Sequence, residues 1–434
     1  MRSRAQSTSA RGDRLSLPPF DGVVLNAREL VTCDGPFPGP PEATLAKIPR
    51  GAIAWVGDTV AWLGPQDQLP KSRIKDDTRL FDAQGGVVGP GWVDCHTHLV
   101  FQGSRHDEFA MRCAGKTYLE VAKAGGGIVR TVEATRAASG DALLESASIR
   151  AQAMLARGVT TLEIKSGYGL TTDTELKMLE AVIKLRKRQP QTFVATLLAL
   201  HAVPKEFAGR RADYVDQCIQ DLLPKVAARK AATFVDAFVE DGAFAADDVR
   251  RLWSAAKPLG FRLRLHVDQL TPGRGGAQLA AELGATSADH LEHVSPEGMR
   301  ALAASRTVAV LAPTSTLFAK ARPFAPGRAL ADAGCAVAVC TNWNPGSSMG
   351  GNVSLAMSLA CLENGLTPEE AFLGFTRHAG AALALPRAGI LRVGAPADIA
   401  VHCVENLAEI PYRIAENTVV WVLRHGVCVL GKLS

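Results

Sequence analysis

The sequence predicts an α/β chain: a TIM-type (β/α)8 barrel carrying a small β-sandwich domain built from both termini. Eight short apolar runs alternate with helical stretches through the middle of the 434 residues, the pattern of a parallel sheet with helical crossovers. β-rich segments of matching texture stand at the two ends of the chain. In the middle, the unusual polar residues come at the C-terminal ends of the apolar runs, the ends that a barrel gathers on one face.

The elements follow in order. Residues 1–19 are rich in Ser and Arg and hold no apolar stretch, so a disordered tail is expected rather than a secretory signal. GVVLNARELVTC and GAIAWVGDTVAWLG alternate in β fashion around Pro/Gly-rich turns, which assigns 20–87 to the first part of the small domain. The barrel is expected over 88–382. Its strands are read as VVGPGWVDCHTH, TTLEIKSGYG, FVATLLALHAV, FVDAFVED, FRLRLHVDQ, SADHLEH, VAVLAPTS and AVAVCTNWN, with amphipathic segments such as DTELKMLEAVIKLRKR between them. Eight repeats over roughly 290 residues suit a fold that typically needs about 250. ADIAVHC and VVWVLRHGVCVLG place the second part of the small domain at 383–434.

Composition narrows the function classes. Hydrophobic residues make up 47% and charged residues 21%, as in globular proteins. Net charge is +5 and aromatics are 6%, with no basic stripe, so nucleic acid is not an expected partner. No run of about 18 apolar residues offers a membrane span. The nine cysteines are an odd, widely spaced set without C-x-x-C, which points to free thiols and a cytoplasmic location. Strand alternation predicts that Cys95 points away from its histidine neighbours.

His96-Thr97-His98 closes the first strand. Residues two apart on a strand share a face, so both imidazoles can meet one ion. The pair alone is weak evidence. It gains weight because Tyr168, His201, Glu240, His266, His290 and Asn342 also close strands, and core histidines have no reason to prefer strand ends. Glu240 is read as orienting His266 or His201. His106, His293, His378, His402 and His425 are read as structural.

Beyond these patterns, DCHTHLVFQGSRHDEF, AGGGIVRTVEATRAAS, EIKSGYGLTTDTELKML, HAVP, LHVDQL, GATSADHLEHVS and NWNPGS resemble the imidazolonepropionases, metal-dependent hydrolases of the amidohydrolase superfamily that act in histidine degradation. The resemblance runs from Gly89 to about Leu385. It implies hydrolysis of the ring of 4-imidazolone-5-propanoate to N-formimidoyl-L-glutamate with one zinc or iron ion. By this resemblance His96, His98, His266 and Asn342 hold the metal. Arg105, Tyr168, His201, Gln269, Asn344, Gly346 and Ser347 hold the small anionic substrate, and His290, Gln269 and Asn342 occupy the catalytic positions. Arg105 suits the propionate, since a guanidinium can grip a carboxylate with two hydrogen bonds. Asn-Pro-Gly is also ordinary turn chemistry. Lys165 belongs to the single-metal pattern EIKSGYG rather than to a two-metal bridge. The resemblance further implies a homodimer.

One position departs from the family. Asn342 stands where the pattern has an aspartate that both touches the metal and moves a proton. An amide offers a neutral oxygen and no titratable group, so Asn342 can ligate but cannot act as a base, and His290 is the residue left to take that part. Two other readings stay open: another cyclic amidohydrolase, or a non-catalytic relative that binds ligand without turnover.

Overall fold

The computed structural model describes residues 17–116, 120 and 125–431; residues 1–16 of the expected tail lie outside them. Chain order begins with seven strands that serve the smaller sheets: β1 (Gly22–Leu25), β2 (Glu29–Val31), β3 (Lys47–Pro49), β4 (Gly51–Val56), β5 (Thr59–Pro65), β6 (Arg79–Asp82) and β7 (Val87–Pro90). The barrel strands follow: β8 (Trp92–Asp94), β9 (Val159–Lys165), β10 (Thr192–Leu200), β11 (Phe234–Val239), β12 (Arg262–Val267), β13 (Ser287–His290), β14 (Val308–Leu311) and β15 (Val337–Val339). The chain ends in β16 (Ile399–His402), β17 (Val419–Arg424) and β18 (Val427–Leu430).

β8 to β15 form one eight-stranded sheet in chain order, each pairing parallel. Parallel neighbours require a crossover, and helices supply it. The helix Thr172–Arg188 shows why its sequence forms one. Thr171 caps its N-terminus, Asp173 and Glu175 sit in the first turn, and Arg186, Lys187 and Arg188 fill the last, all matched to the helix dipole. Leu176, Leu179 and Val182 recur at helical spacing and are buried, giving it an apolar face for the sheet. β9 is buried at every position, as expected of a parallel strand covered on both sides.

The two end strands of this sheet meet just beyond their last residues. Thr341 Oγ1 donates to Asp94 Oδ2 at 2.5 Å. Asn342 N donates to His96 O at 3.1 Å, and His98 N donates to Trp343 O at 2.9 Å. The barrel therefore closes through the segments that carry His96, His98 and Asn342.

VVGPGWVDCHTH is two strands rather than the single barrel strand its sequence suggests. β7 pairs with β16 and β2, whereas β8 pairs with β9. Gly91 makes the change of sheet, and a Cβ there would run into the Thr160 side chain. The smaller sheets have the orders β5-β4-β1-β6 and β18-β17-β16-β7-β2-β3. Val24, Ile53, Trp55 and Phe81 of the first pack against Leu30, Val88, Ile399 and Leu423 of the second, so both chain ends contribute to one layered unit. Among the described residues no helix is long and apolar enough to cross a membrane.

Candidate metal and substrate site

His96, His98 and His266 converge beyond the ends of β8 and β12, with one ring nitrogen of each within 4.8 Å of the others. All three are buried. His96 Nε2, His98 Nδ1 and His266 Nε2 are buried without a hydrogen-bond partner. Orphaned imidazole nitrogens are costly in a dry interior, and a shared cation would satisfy all three at once. Burial, the largest cause, holds His96 and His98 well below the ordinary histidine range, which leaves them neutral, as ligation requires. The donor set thus fits a metal ion such as zinc or iron.

The other nitrogens are braced. His96 Nδ1 lies 2.7 Å from Asp289 Oδ2 and His266 Nδ1 lies 3.1 Å from Asp236 Oδ1. A carboxylate only accepts, so each Nδ1 carries the hydrogen and each Nε2 presents its lone pair to the centre. Arg264 Nη2 donates to Asp289 at 2.9 Å, and Lys165 Nζ donates to Asp236 and Glu163 at 2.8 Å each. Burial alone would raise Asp236, but His266 and Lys165 outweigh it and hold the carboxyl far below its usual range.

Around this centre stand other expected residues. The His290 ring lies 5.4 Å from those of both His96 and His266, and the Tyr168 ring lies 5.8 Å from His98 and 5.3 Å from His201. His201 Nδ1 donates to Gly167 O at 2.8 Å, which fixes its tautomer. Gln269 is half-buried in the loop leaving β12. Asn342 holds a left-handed backbone, φ +49°. Asn344 Nδ2 donates to Asn342 Oδ1 at 3.1 Å and to Ser347 Oγ at 2.9 Å, while Asn344 Oδ1 accepts from Gly346 N and Ser347 N at 2.9 and 2.8 Å. The turn chemistry of NWNPGS is therefore fully realised. Arg105 is gripped by Glu108, with contacts of 2.7 to 3.0 Å, and its guanidinium lies so close to Gly346 that a Cβ there would collide with it.

Comparisons with known proteins bear directly on this arrangement. The model of the amidohydrolase family matches residues 109–430. An imidazolonepropionase of Myxococcus xanthus is 50% identical over 395 residues, covering 91% of this chain and 94% of the relative. The chain belongs to the imidazolonepropionase family. The family's imidazolonepropionase from Anaeromyxobacter sp. strain K is 47% identical, covering 94% of this chain and 96% of its own, and that of Bacillus cereus G9842 is 40% identical at the same coverage. Solved structures share the fold at lower identity: a triazine hydrolase variant (TM-score 0.71, 17% identity, 94% of each chain) and a zinc-bound adenosine deaminase of Xanthomonas campestris (TM-score 0.69, 16% identity, 95% and 94%).

Two expectations are corrected within this family frame. Glu240 orients neither His266 nor His201; its carboxylate accepts from Leu270 N and Thr271 N at 3.2 to 3.3 Å, because the loop leaving β12 turns back over it and presents unpaired N–H groups. Cys95 does not face outward. It packs with Val194, Phe234, Val310 and Cys340 from four other barrel strands or their ends, a grouping possible only in the barrel interior, since regular alternation ends at Asp94, where β8 stops. Sequence reading also passed over the bracing residues Glu163, Asp236, Arg264 and Asp289. The signal was present: charged residues inside otherwise apolar strands, in LEIK, VDAF, LRLH and ADH.

Proposed function

We propose that this chain is a metal-dependent hydrolase that opens the ring of 4-imidazolone-5-propanoate to give N-formimidoyl-L-glutamate. The observation that carries the reading is the 50% identity to an imidazolonepropionase across 91% of the chain, joined to a histidine cluster whose free nitrogens converge. We assign His96, His98, His266 and Asn342 to one zinc or iron ion. Bound there, the ion would supply Lewis-acid activation of water.

The chain's own groups do the rest in this reading. Arg105, preset by Glu108, grips the propionate, and Asn344, Gly346 and Ser347 shape the wall beside it. Tyr168, His201 and Gln269 orient the ring, with His201 Nε2 free to accept because Nδ1 is committed to Gly167. His290 accepts the proton released as water attacks the carbon between the ring nitrogens and returns one to the departing nitrogen. Asn342 takes no proton. We read residues 20–87 and 383–434 as one small domain against a barrel of 88–382, and the chain as a homodimer in the cytoplasm.

Turnover of freshly generated 4-imidazolone-5-propanoate by the metal-loaded protein, beside Asn342→Asp, tests this. Activity of the unchanged chain supports the hydrolase with His290 as base. Activity only in the variant means a binding site without its base, and silence from both overturns the reading.

A further inference from the structure

Lys165 occupies the middle of the bracing network and has no part in the chemistry above. It lies on β9 two residues from Glu163, so both side chains enter the barrel together. Its ammonium is fully buried and donates to Glu163 Oε1 and Asp236 Oδ2, each at 2.8 Å, with Asp289 Oδ2 at 3.7 Å. Each of these carboxylates stands behind a different piece of the histidine set. Asp236 holds His266 Nδ1 at 3.1 Å, and Asp289 holds His96 Nδ1 at 2.7 Å. Glu163 Oε2 accepts from the backbone of Thr97 at 3.1 Å, and Thr97 Oγ1 donates to Glu163 O at 2.6 Å. Thr97 is the residue between His96 and His98.

We infer that Lys165 is a positioning residue that locks the His266 arm and the His96–His98 arm into one geometry, through Asp236 on one side and Glu163 on the other. The inference rests on the metal assignment proposed above. A lysine suits the task because an ammonium is a compact charge with three donors that can point in separate directions. Arg264 cannot substitute for it, being engaged with Asp289 and the backbone of Ala382. Without the ammonium, Glu163 and Asp236 would keep their hydrogen bonds to Thr97 and His266 but lose the cation that stands between their charges in a buried interior. They would repel each other strongly there, and the histidines they orient would lose their shared aim.

The experiment uses the full chain and measures zinc affinity by chelator competition and the visible absorption of bound cobalt(II), which reports ligand geometry. Lys165→Met should bind zinc about 10–100-fold more weakly, the usual effect of losing a partner behind a ligand, with altered cobalt absorption. Glu163→Gln keeps the ammonium and should still lose roughly tenfold, so it decides the matter if Lys165→Met does not fold. Arg424→Met breaks the remote Arg424–Asp398 pair and should lower the melting temperature while leaving zinc affinity unchanged. Undiminished affinity and unaltered cobalt absorption in the Lys165 and Glu163 variants would overturn the brace while leaving the metal site standing. So would an equal loss in Arg424→Met, which would make the effect merely one of stability. Failure of the unchanged chain to bind zinc, cobalt(II) or iron would overturn both.

Discussion

Asn342 and Arg105 are where single side chains carry the largest consequences. Asn342→Asp adds a titratable group at a position whose backbone is already pinned to His96 O. With His290 serving as the base, kcat should rise by less than the roughly 10²–10⁴ that a base supplies, measured by loss of the imidazolone absorbance, and a rise of that full size would show that His290 does not move the proton. Arg105 behaves differently, because it would grip a part of the substrate that does not react. Arg105→Lys removes the fork that Glu108 presets and should raise KM by about 10–100-fold with little change in kcat; an equal fall in kcat would place Arg105 in the chemical step instead. At this scale the sequence displayed the histidines that cluster, since H-x-H and strand-end histidines are visible as letters. Asp236 and Asp289 were harder to see. Their importance comes from distances of 3.1 and 2.7 Å to histidines on other strands, which only the closed barrel creates.

Among the elements, the turn after β9 depends on one buried carboxylate. Glu175, in the first turn of the helix Thr172–Arg188, accepts from Gly167 N, Gly169 N and Leu170 N at 2.7 to 2.8 Å. Those hydrogen bonds hold the turn that carries Tyr168, and Leu170 there adopts φ +53°. Glu175→Gln turns a donor toward backbone N–H groups and should cost about 1–3 kcal/mol. The expected outcome is a lower melting temperature together with a lower kcat/KM; an unchanged kcat/KM would show that Tyr168 keeps its place without the anchor. Strand positions were legible because barrel strands are mostly apolar runs alternating with amphipathic helical stretches. The break between β7 and β8 was not, because Gly91 is demanded by Thr160 of a later strand, and nothing local announces that contact.

For the whole molecule, stability should follow both metal and pH. An ion that binds only the folded chain stabilises it by about 2.7 kcal/mol at 100 times its Kd, so zinc should raise the melting temperature and a chelator should reverse the rise. His402, remote from the histidine cluster on β16, is buried beside Trp92 and burial lowers its pKa to about 3. The unfolded chain takes up this proton near pH 6.5 and the folded chain resists. The contribution is therefore complete above pH 6.5 and is lost as pH falls toward 3, about 2 kcal/mol of it by pH 5. His402→Asn should flatten the acid limb of a melting-temperature profile, and an unchanged slope would refute the assignment. The seam has a consequence in time as well. Asp94 and Thr341, which meet where the barrel closes, are 247 residues apart in sequence. A ribosome adding 5–20 residues per second needs roughly 12–50 s to cover that interval. For most of it His266 is still unmade, and for all of it Asn342 is, so a protein cut short just before Thr341 carries the three histidines without the seam that closes the barrel beside them.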